Sequence, residues 1–297
     1  MDDQFSYASP VGSVPVGLST CHNSTKRSAN LAIWSNLAEF SEKSPSQIVV
    51  DPPIRTAGDI NSFSPKSRNR LLRKLFRVNC PEQQLPIFIT LTYPKDFPSS
   101  GKIWKEHVQA YIRQLKVDPI CRKWVWKLEF QKRGAPHFHI IVYPSAPVNK
   151  NTLLKLREFT AKSWYQIVGS GDEKHLRAGT QVAQAHNRKQ LVSYLSKYIS
   201  KDTVPHAFSW VGRFWATSED FEDDPVLEIQ LNDQQVVDAR RLARRYLKAQ
   251  GKSYRKYAKL AHKRQNFSLF VPLEVMVRYI FQHDPELISW ILPAKPT

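Results

Sequence analysis

The stretch that decides the fold is KWVWKLEFQKRGAPHFHIIVY, residues 123–143. Its first half alternates apolar and polar side chains, which is typical of a β-strand with one buried face. The glycine of Arg133-Gly134-Ala135 allows a tight turn, and PHFHIIVY, residues 136–143, is a second strand. Two strands around a tight glycine turn predict an antiparallel hairpin.

The neighbouring segments extend this hairpin into a sheet with helices. The apolar, β-branched run LPIFITLTY at 85–93 predicts a strand that ends at Pro94. A short strand is expected near 176–184. Helical spacing of apolar residues predicts helices at 102–116, 150–167 and 186–201. The order strand, helix, hairpin, helix, strand, helix predicts an α+β fold, a central antiparallel sheet with flanking helices.

The sequence divides into three regions around this sheet. Residues 1–65 are rich in Ser, Pro and Asn, and we interpret them as a flexible or loosely packed arm with one short helix at 31–40. A folded domain is predicted at 66–205, beginning with a basic helix at 67–77. Residues 206–297 are predicted to form a basic, helical C-terminal region that binds DNA.

The charge of the chain favours a polyanionic partner. The 297 residues carry a formal net charge of +18, and 41% of them are hydrophobic, which suits a folded protein that binds nucleic acid. The run from Arg240 to Arg264 contains no acidic residue. We predict that it follows phosphates, although a solvated helical face is the alternative. Its candidate DNA contacts are Arg240, Arg241, Arg244, Arg245, Lys248, Lys252, Arg255 and Lys256.

Several protein classes are disfavoured by what the sequence lacks. Its three cysteines are far apart and form no CxxC pair, which argues against a disulfide framework or a zinc finger and fits a reducing cytoplasm. No apolar stretch is long enough to cross a bilayer, and the start of the chain lacks the pattern of a signal peptide. No GxxxxGK[ST] motif predicts an ATP-driven helicase.

A metal site is predicted on the hairpin. His137 and His139 are two residues apart on one strand, so their imidazoles lie on the same face. Glu129 is on the polar face of the partner strand and lies close to them across the turn. Two imidazoles and one carboxylate can hold a divalent metal with open coordination positions, which a metal needs to polarise a phosphate. A structural histidine pair is the alternative, but histidines among core residues are costly without partners.

The helix at 186–201 contains two candidate nucleophiles. Tyr194 and Tyr198 are one turn apart at the edge of the apolar stripe, with Lys197 and Lys201 just beyond them. A phenol has a pKa of about 10, and a nearby cation or metal favours the phenolate, which is the better nucleophile. From the helix alone, tyrosines that cap the core and solvated lysines are the simpler interpretation.

Three motifs taken together, FITLTYP, HFHII and YLSKYISK, resemble the HUH endonuclease superfamily of rolling-circle replication initiators. The resemblance covers about residues 86–201 and implies that superfamily's nuclease fold, with an antiparallel palm similar to that of RNA-recognition-motif domains. The repeated Tyr-x-x-Lys is similar to the two-tyrosine branch of phage and bacterial plasmid initiators. The matches are His137 and His139 as metal ligands, Glu129 as the additional polar residue, Tyr194 and Tyr198 as nucleophiles, and Lys197 as the associated lysine.

The resemblance implies a metal-dependent endonuclease and strand transferase that uses Mg²⁺ or Mn²⁺ in a bacterial cytoplasm. Tyr194 is expected to nick single-stranded DNA at an origin, giving a 5′-phosphotyrosine and a free 3′ hydroxyl. A host helicase and polymerase are the expected partners. One rival is a single-strand transposase of the same superfamily; another is a non-catalytic DNA-binding regulator, which needs neither the histidine pair nor the tyrosine pair.

The remaining marked residues are interpreted as structural. Aromatic residues around Arg213 can stack on bases, but we favour a role in the core; they are Trp210, Phe214 and Trp215. Isolated histidines without evident partners are also assigned to the structure; they are His107, His175 and His186.

Overall fold

The predicted hairpin lies inside a five-stranded antiparallel sheet. A computed structural model describes residues 28–34, 37–43, 62–187, 211–249, 251–255 and 266–292. Strands β1 to β9 span Ser28–Ile33, Leu37–Lys43, Ile87–Thr92, Cys121–Phe130, Pro136–Pro144, Thr180–Gln184, Trp215–Thr217, Leu227–Gln230 and Asn266–Pro272. Helices α1 to α7 span Pro65–Phe76, Gly101–Leu115, Lys150–Val168, Glu173–Ala178, Asp233–Ala249, Leu273–Ile280 and Pro285–Ile291.

The first sheet has the strand order β6-β3-β5-β4-β7. The turn between β4 and β5 contains Gly134 with a φ of 81°, a conformation that suits glycine because it has no Cβ. The predicted strands and helices of this region are confirmed, with α4 preceding β6 in the segment where only a strand was expected. The prediction of an α+β fold with antiparallel sheets is therefore confirmed.

One face of this sheet packs against α2 and α3. Trp126 and Phe138 point to this face, with ring centroids 5.7 Å apart, and Trp164 of α3 lies against Phe138. The buried helix residues follow the predicted 3.6-residue spacing, since Trp104, Val108 and Leu115 are all fully buried. Asn149 caps α3 by accepting a hydrogen bond from the main-chain N–H of Thr152.

The opposite face of β4 is buried more deeply than its alternating pattern predicts. Lys123 and Lys127 lie on that face, yet both are buried. Each ammonium group has a carboxylate partner: Lys123 donates to Asp223 at 2.6 Å, and Lys127 donates to Glu129 at 2.6 Å. Pairing offsets the cost of removing these charges from water.

A second antiparallel sheet has the order β8-β1-β2-β9. The interpretation of residues 1–65 as a loose arm is wrong for β1 and β2, and so is the predicted helix at 31–40. Leu31 pairs with Phe40 and Ile33 with Ala38 across a hairpin. The outer partners, β8 and β9, come from more than 180 residues further along the chain, so no local window of sequence reveals them.

The division into domains also differs from the prediction. One core contains residues between Phe63 and Phe221, and the other combines the two N-terminal strands with residues between Leu231 and Phe281. Residues 211–221 therefore belong to the first core, not to a separate C-terminal region. The C-terminal part is not purely helical either, because it supplies β8 and β9 to the second sheet.

Arg77, which follows α1, links the two sheets. Its guanidinium donates to Glu39 of β2 at 2.9 Å and to Glu222 at 3.2 Å. The same group lies over the ring of Trp34, 5.7 Å from its centroid, and the Trp34 indole N–H donates to the carbonyl of Asp223. Residues of both cores are thus tied to one cation. None of the described helices combines the length and apolarity needed to span a membrane.

Lys105 of α2 generates a prediction about stability. Its ammonium nitrogen is buried without a hydrogen-bond partner, 5.7 Å from the Trp126 ring centroid and 5.8 Å from that of Phe138. Burial lowers the pKa of Lys105 to about 7, whereas an unfolded lysine has a pKa of about 10.4. Between these values the unfolded chain binds more protons than the folded one, so this lysine destabilises the fold most at low pH, and its cost declines as the pH rises.

We expect Lys105→Met to raise the free energy of unfolding, because it removes a desolvated amine and keeps an apolar stem. The gain should be largest below about pH 7 and shrink towards about pH 10. Urea denaturation at several pH values measures it. Lys102→Met, at an exposed position of the same helix, is the matched control and should show no such trend. An equal gain at every pH would contradict the assignment.

Candidate functional site

The strand register brings the predicted metal ligands together on one face of the first sheet. His137 lies opposite Glu129 on β4 and opposite Thr92 on β3. His139 lies opposite other residues of the same two strands, and directly opposed side chains share a face. Two adjacent rows result, one of Thr92, His137 and Glu129, and one of Thr90, His139 and Lys127.

The two imidazole rings are neighbours whose orientations are held from β3. Their centroids are 4.4 Å apart, with the rings nearly perpendicular at 79°. The Thr92 hydroxyl lies 3.0 Å from His137 Nδ1, and the Thr90 hydroxyl lies 3.4 Å from His139 Nδ1. His139 is buried and His137 is half-buried, so the pair lies where the sheet face opens towards solvent.

Glu129 is held between a lysine and a histidine. Its Oε1 accepts from Lys127 Nζ at 2.6 Å, and its Oε2 is 3.4 Å from His139 Nε2. Burial alone raises the pKa of this carboxyl, but the hydrogen bond with His139 and the charge of Lys127 outweigh it and lower the pKa to about 2. Glu129 is therefore a carboxylate at every physiological pH.

These donors suit a divalent ion in kind, and one of their distances also fits. Two ligand atoms that share an ion at about 2.1 Å each lie roughly 3.0–3.4 Å apart, and the Glu129–His139 separation is 3.4 Å. Within the described ranges, however, no three His, Cys, Asp or Glu side chains already have the arrangement of a metal site. The contact of Lys127 with Glu129 Oε1 is consistent with this, since it engages one of the carboxylate oxygens.

Sequence reasoning did not single out Thr90, Thr92 and Lys127 as part of the site. A signal for the threonines was present, because the alternation Thr90-Leu91-Thr92 places both hydroxyls on one face of a strand. Nothing in the sequence, however, states which strand lies beside β5. Lys127 was assigned to the polar face, but its pairing with Glu129 depends on side-chain geometry that a pattern does not define.

The predicted nucleophile residues Tyr194, Lys197 and Tyr198 lie outside the described residues, as do Trp210 and Lys256. The roles of all five remain predictions. Of the other aromatic residues, Phe214 is buried in the first core as predicted, and the Trp215 indole N–H donates to the hydroxyl of Ser67.

The basic residues of α5 divide into those paired within the fold and those at its surface. Arg240 makes a two-bond ion pair with Glu42 of β2, at 2.9 and 2.6 Å, so its guanidinium is occupied within the structure. Arg241 contacts Asp238. Arg244 and Arg245 are exposed and lie over the rings of Tyr254 and Tyr279. Further exposed cations follow at Lys248, Lys252 and Arg255.

The histidines interpreted as structural have specific positions. His107 Nδ1 lies 3.0 Å from the Tyr93 hydroxyl. His175 is buried, with its Nε2 2.7 Å from the main-chain carbonyl oxygen of Thr92. His186 is exposed at the end of a described segment. The structural interpretation is thus confirmed most clearly for His175.

Residues 86–203 match a family model that describes the replication-associated protein ORF2 and its relatives. The matched range is less than half of the chain, but it runs from β3 through β6 and includes every residue predicted to bind metal or to act as nucleophile. No curated protein and no solved structure matches the chain. The match therefore favours a role in replication and leaves the chemistry of individual residues to be argued from the site.

Removal of the Lys127 ammonium should change the Glu129 carboxyl. In metal-free protein, Lys127→Met should raise the pKa of Glu129 from about 2 towards its ordinary value and shift acid unfolding to higher pH. The sign follows because a carboxyl with a lowered folded pKa stabilises the fold above its unfolded pKa and loses that contribution as the pH falls. NMR titration of labelled glutamate carboxyls measures the shift.

Lys123→Met is the matched control, because it breaks an equally short buried ion pair, with Asp223, on the same face of the same strand. It should lower stability without changing the pKa of Glu129. An unchanged Glu129 in Lys127→Met would show that the hydrogen bond with His139 is sufficient to hold the carboxylate.

Proposed function

We propose that this protein initiates rolling-circle replication by nicking single-stranded DNA at an origin with a tyrosine, and later rejoins the strands. The observation that carries the proposal is the convergence of His137, His139 and Glu129 on one sheet face, within the range that matches a replication-associated family. The order of the motifs supports it further, since the tyrosine pair follows the histidine pair.

The described residues suit a phosphate-polarising site. His137, His139 and Glu129 would hold Mg²⁺ or Mn²⁺, which supplies Lewis-acid polarisation of the scissile phosphate when bound. The two imidazoles present ring nitrogens at the same face, and Glu129 contributes a negative charge. Lys127 balances part of that charge, which leaves the site less anionic when a DNA phosphate approaches.

Tyr194 is the proposed nucleophile. Its hydroxyl oxygen forms a bond to phosphorus as the bond from phosphorus to the 3′ oxygen breaks, and the phenol proton is transferred, directly or through solvent, to the leaving 3′ oxygen. The products are a 5′-phosphotyrosine and a 3′ hydroxyl that a host polymerase can extend. Lys197 is proposed to lie near the phosphate or the phenolate. Tyr198 is the proposed second nucleophile, which cuts the regenerated origin so that a circle is released.

Covalent adduct formation tests this proposal. Wild-type protein with Mn²⁺ and an origin-bearing single-stranded oligonucleotide should give a protein–DNA adduct on a denaturing gel, and EDTA or His137→Ala should abolish it while most DNA affinity remains. Tyr194→Phe should lose most initial nicking. Tyr198→Phe should still nick but release fewer circles, and the double variant should give no adduct.

Each alternative predicts a different result. An adduct with the double variant would place the nucleophile elsewhere, and full cleavage in EDTA would remove the metal from the mechanism. DNA binding with no cleavage under any condition would favour a non-catalytic regulator. Excision and joining of a defined element, in place of circle release, would favour a single-strand transposase.

The exposed face of α5 is the proposed phosphate-binding surface. Arg244 and Arg245 are better candidates than Arg240, since stacking on Tyr254 and Tyr279 leaves guanidinium N–H groups able to donate, whereas Glu42 occupies both edges of the Arg240 pair. Stacking also orders these side chains before DNA arrives. Lys248 and Arg255 add charge to the same segment.

We expect Arg244→Gln and Arg245→Gln, singly and together, to weaken single-stranded DNA binding and to reduce its salt dependence. Each lost phosphate contact should lower the slope of log K against log salt by about 0.7, which fluorescence anisotropy at several salt concentrations measures. Arg278→Gln removes the same charge from an exposed residue already paired with Glu274, so it serves as the control. Equal slopes in all variants would restrict the run to a solvated role.

A further inference from the structure

We infer that Thr92 is a positioning residue for His137, and that Trp164 and His175 hold Thr92 in place from the helical side of the sheet. This inference rests on the proposed function, because it concerns how His137 is prepared to bind a metal ion. It assigns a role to a hydroxyl, an indole and an imidazole that the chemical steps above do not use.

The side chain of Thr92 acts on the ring of His137. Its Oγ1 lies 3.0 Å from His137 Nδ1, closer than the corresponding 3.4 Å between Thr90 and His139. A hydroxyl that accepts from Nδ1–H leaves the lone pair of the ring on Nε2, which is the atom that a metal would then bind. Fixing the tautomer and the ring orientation through the second nitrogen is a general way to tune a ligand histidine.

The main chain of Thr92 is held by three hydrogen bonds. Its carbonyl oxygen accepts from Trp164 Nε1 at 2.8 Å and lies 2.7 Å from His175 Nε2, so both lone pairs of that oxygen are used. Its N–H donates to the carbonyl of Gly179 at 2.8 Å. Thr92 is the last residue of β3, and pairing with β6 ends one residue earlier, at Leu91 opposite Thr180. These contacts therefore continue the support that the strand ladder no longer provides.

The fold makes a specific space for His175. A Cβ at Gly179 would lie 2.5 Å from the Cδ2 and Nε2 atoms of the His175 ring, so only glycine lets the ring reach Thr92. Because a carbonyl can only accept, Nε2 of His175 must carry the hydrogen. Its Nδ1 is buried without a hydrogen-bond partner, a cost of about 1–3 kcal/mol that is tolerated at this position. Such a cost is consistent with a role beyond packing.

The test measures metal affinity in the absence of DNA. Thr92→Val keeps the β-branched shape and removes the hydroxyl, so the dissociation constant for Mn²⁺, measured by electron paramagnetic resonance, should rise about 10- to 100-fold. Thr92→Ser should restore most of the affinity. His175→Leu should weaken Mn²⁺ binding as well, whereas His175→Gln, which retains a donor, should weaken it less.

Two further measurements separate positioning from a loss of stability. Thr160→Val is the matched control, since it deletes another inward hydroxyl, bonded to Tyr111 at 2.9 Å, and should leave Mn²⁺ affinity unchanged. In metal-free protein, ¹⁵N NMR of the imidazoles should show a shift of His137 away from the Nε2-lone-pair tautomer in Thr92→Val and its return in Thr92→Ser.

The outcomes also separate this inference from the proposed function. Wild-type Mn²⁺ affinity and an unchanged His137 tautomer in Thr92→Val would overturn the inference, and so would a wild-type protein that binds no Mn²⁺. Wild-type protein that binds Mn²⁺ through His137 but forms no adduct with any single-stranded DNA would overturn the proposed function alone. Adduct formation by Thr92→Val that recovers at high Mn²⁺ concentration would support both.

Discussion

The antiparallel pairing of β3 with β5 holds the polar groups of the site in their present order. It places Thr92 beside His137 and Thr90 beside His139, and the pairing of β5 with β4 adds Glu129 and Lys127. A slip of one residue would turn every one of these side chains to the opposite face, where Trp126 and Phe138 form the core. The hydrophobic face therefore enforces the register, and the register builds the site.

Charge is distributed unevenly between burial and surface in this protein. Several cations are used inside the fold: Arg77 joins the two sheets, Lys123 and Lys127 neutralise carboxylates on β4, and Arg240 is fixed by Glu42. The formal net charge of +18 is thus not a measure of the DNA-binding surface. The guanidiniums stacked on tyrosines along α5 remain accessible to a polyanion.

The site depends on both faces of one sheet. The face that carries the histidines is polar and partly open, whereas the other face contacts α2 and α3 and carries Trp164. Thr92 connects the two, because its hydroxyl contacts His137 and its carbonyl accepts from Trp164. A substitution in the apolar layer can therefore alter the chemistry on the opposite side without touching a proposed ligand.

The sequence by itself determined the hairpin, the strand and helices around it, and the shared face of His137, His139 and Glu129. Each follows from a local period of 2 or 3.6 residues and a glycine turn, and the structure confirms these elements. The tyrosine pair was also derived from local spacing, and its role remains a prediction because it lies outside the described residues.

Only the tertiary structure decided which distant segments meet. Residues 31–40 form a hairpin and not a helix, because β8 and β9 supply pairing partners from the far end of the chain. Tertiary contact likewise set the pairing of Arg240 with Glu42 and the bonds from Trp164 and His175 to Thr92. Such contacts depend on distances between segments remote in sequence, and a local pattern of side chains contains no information about them.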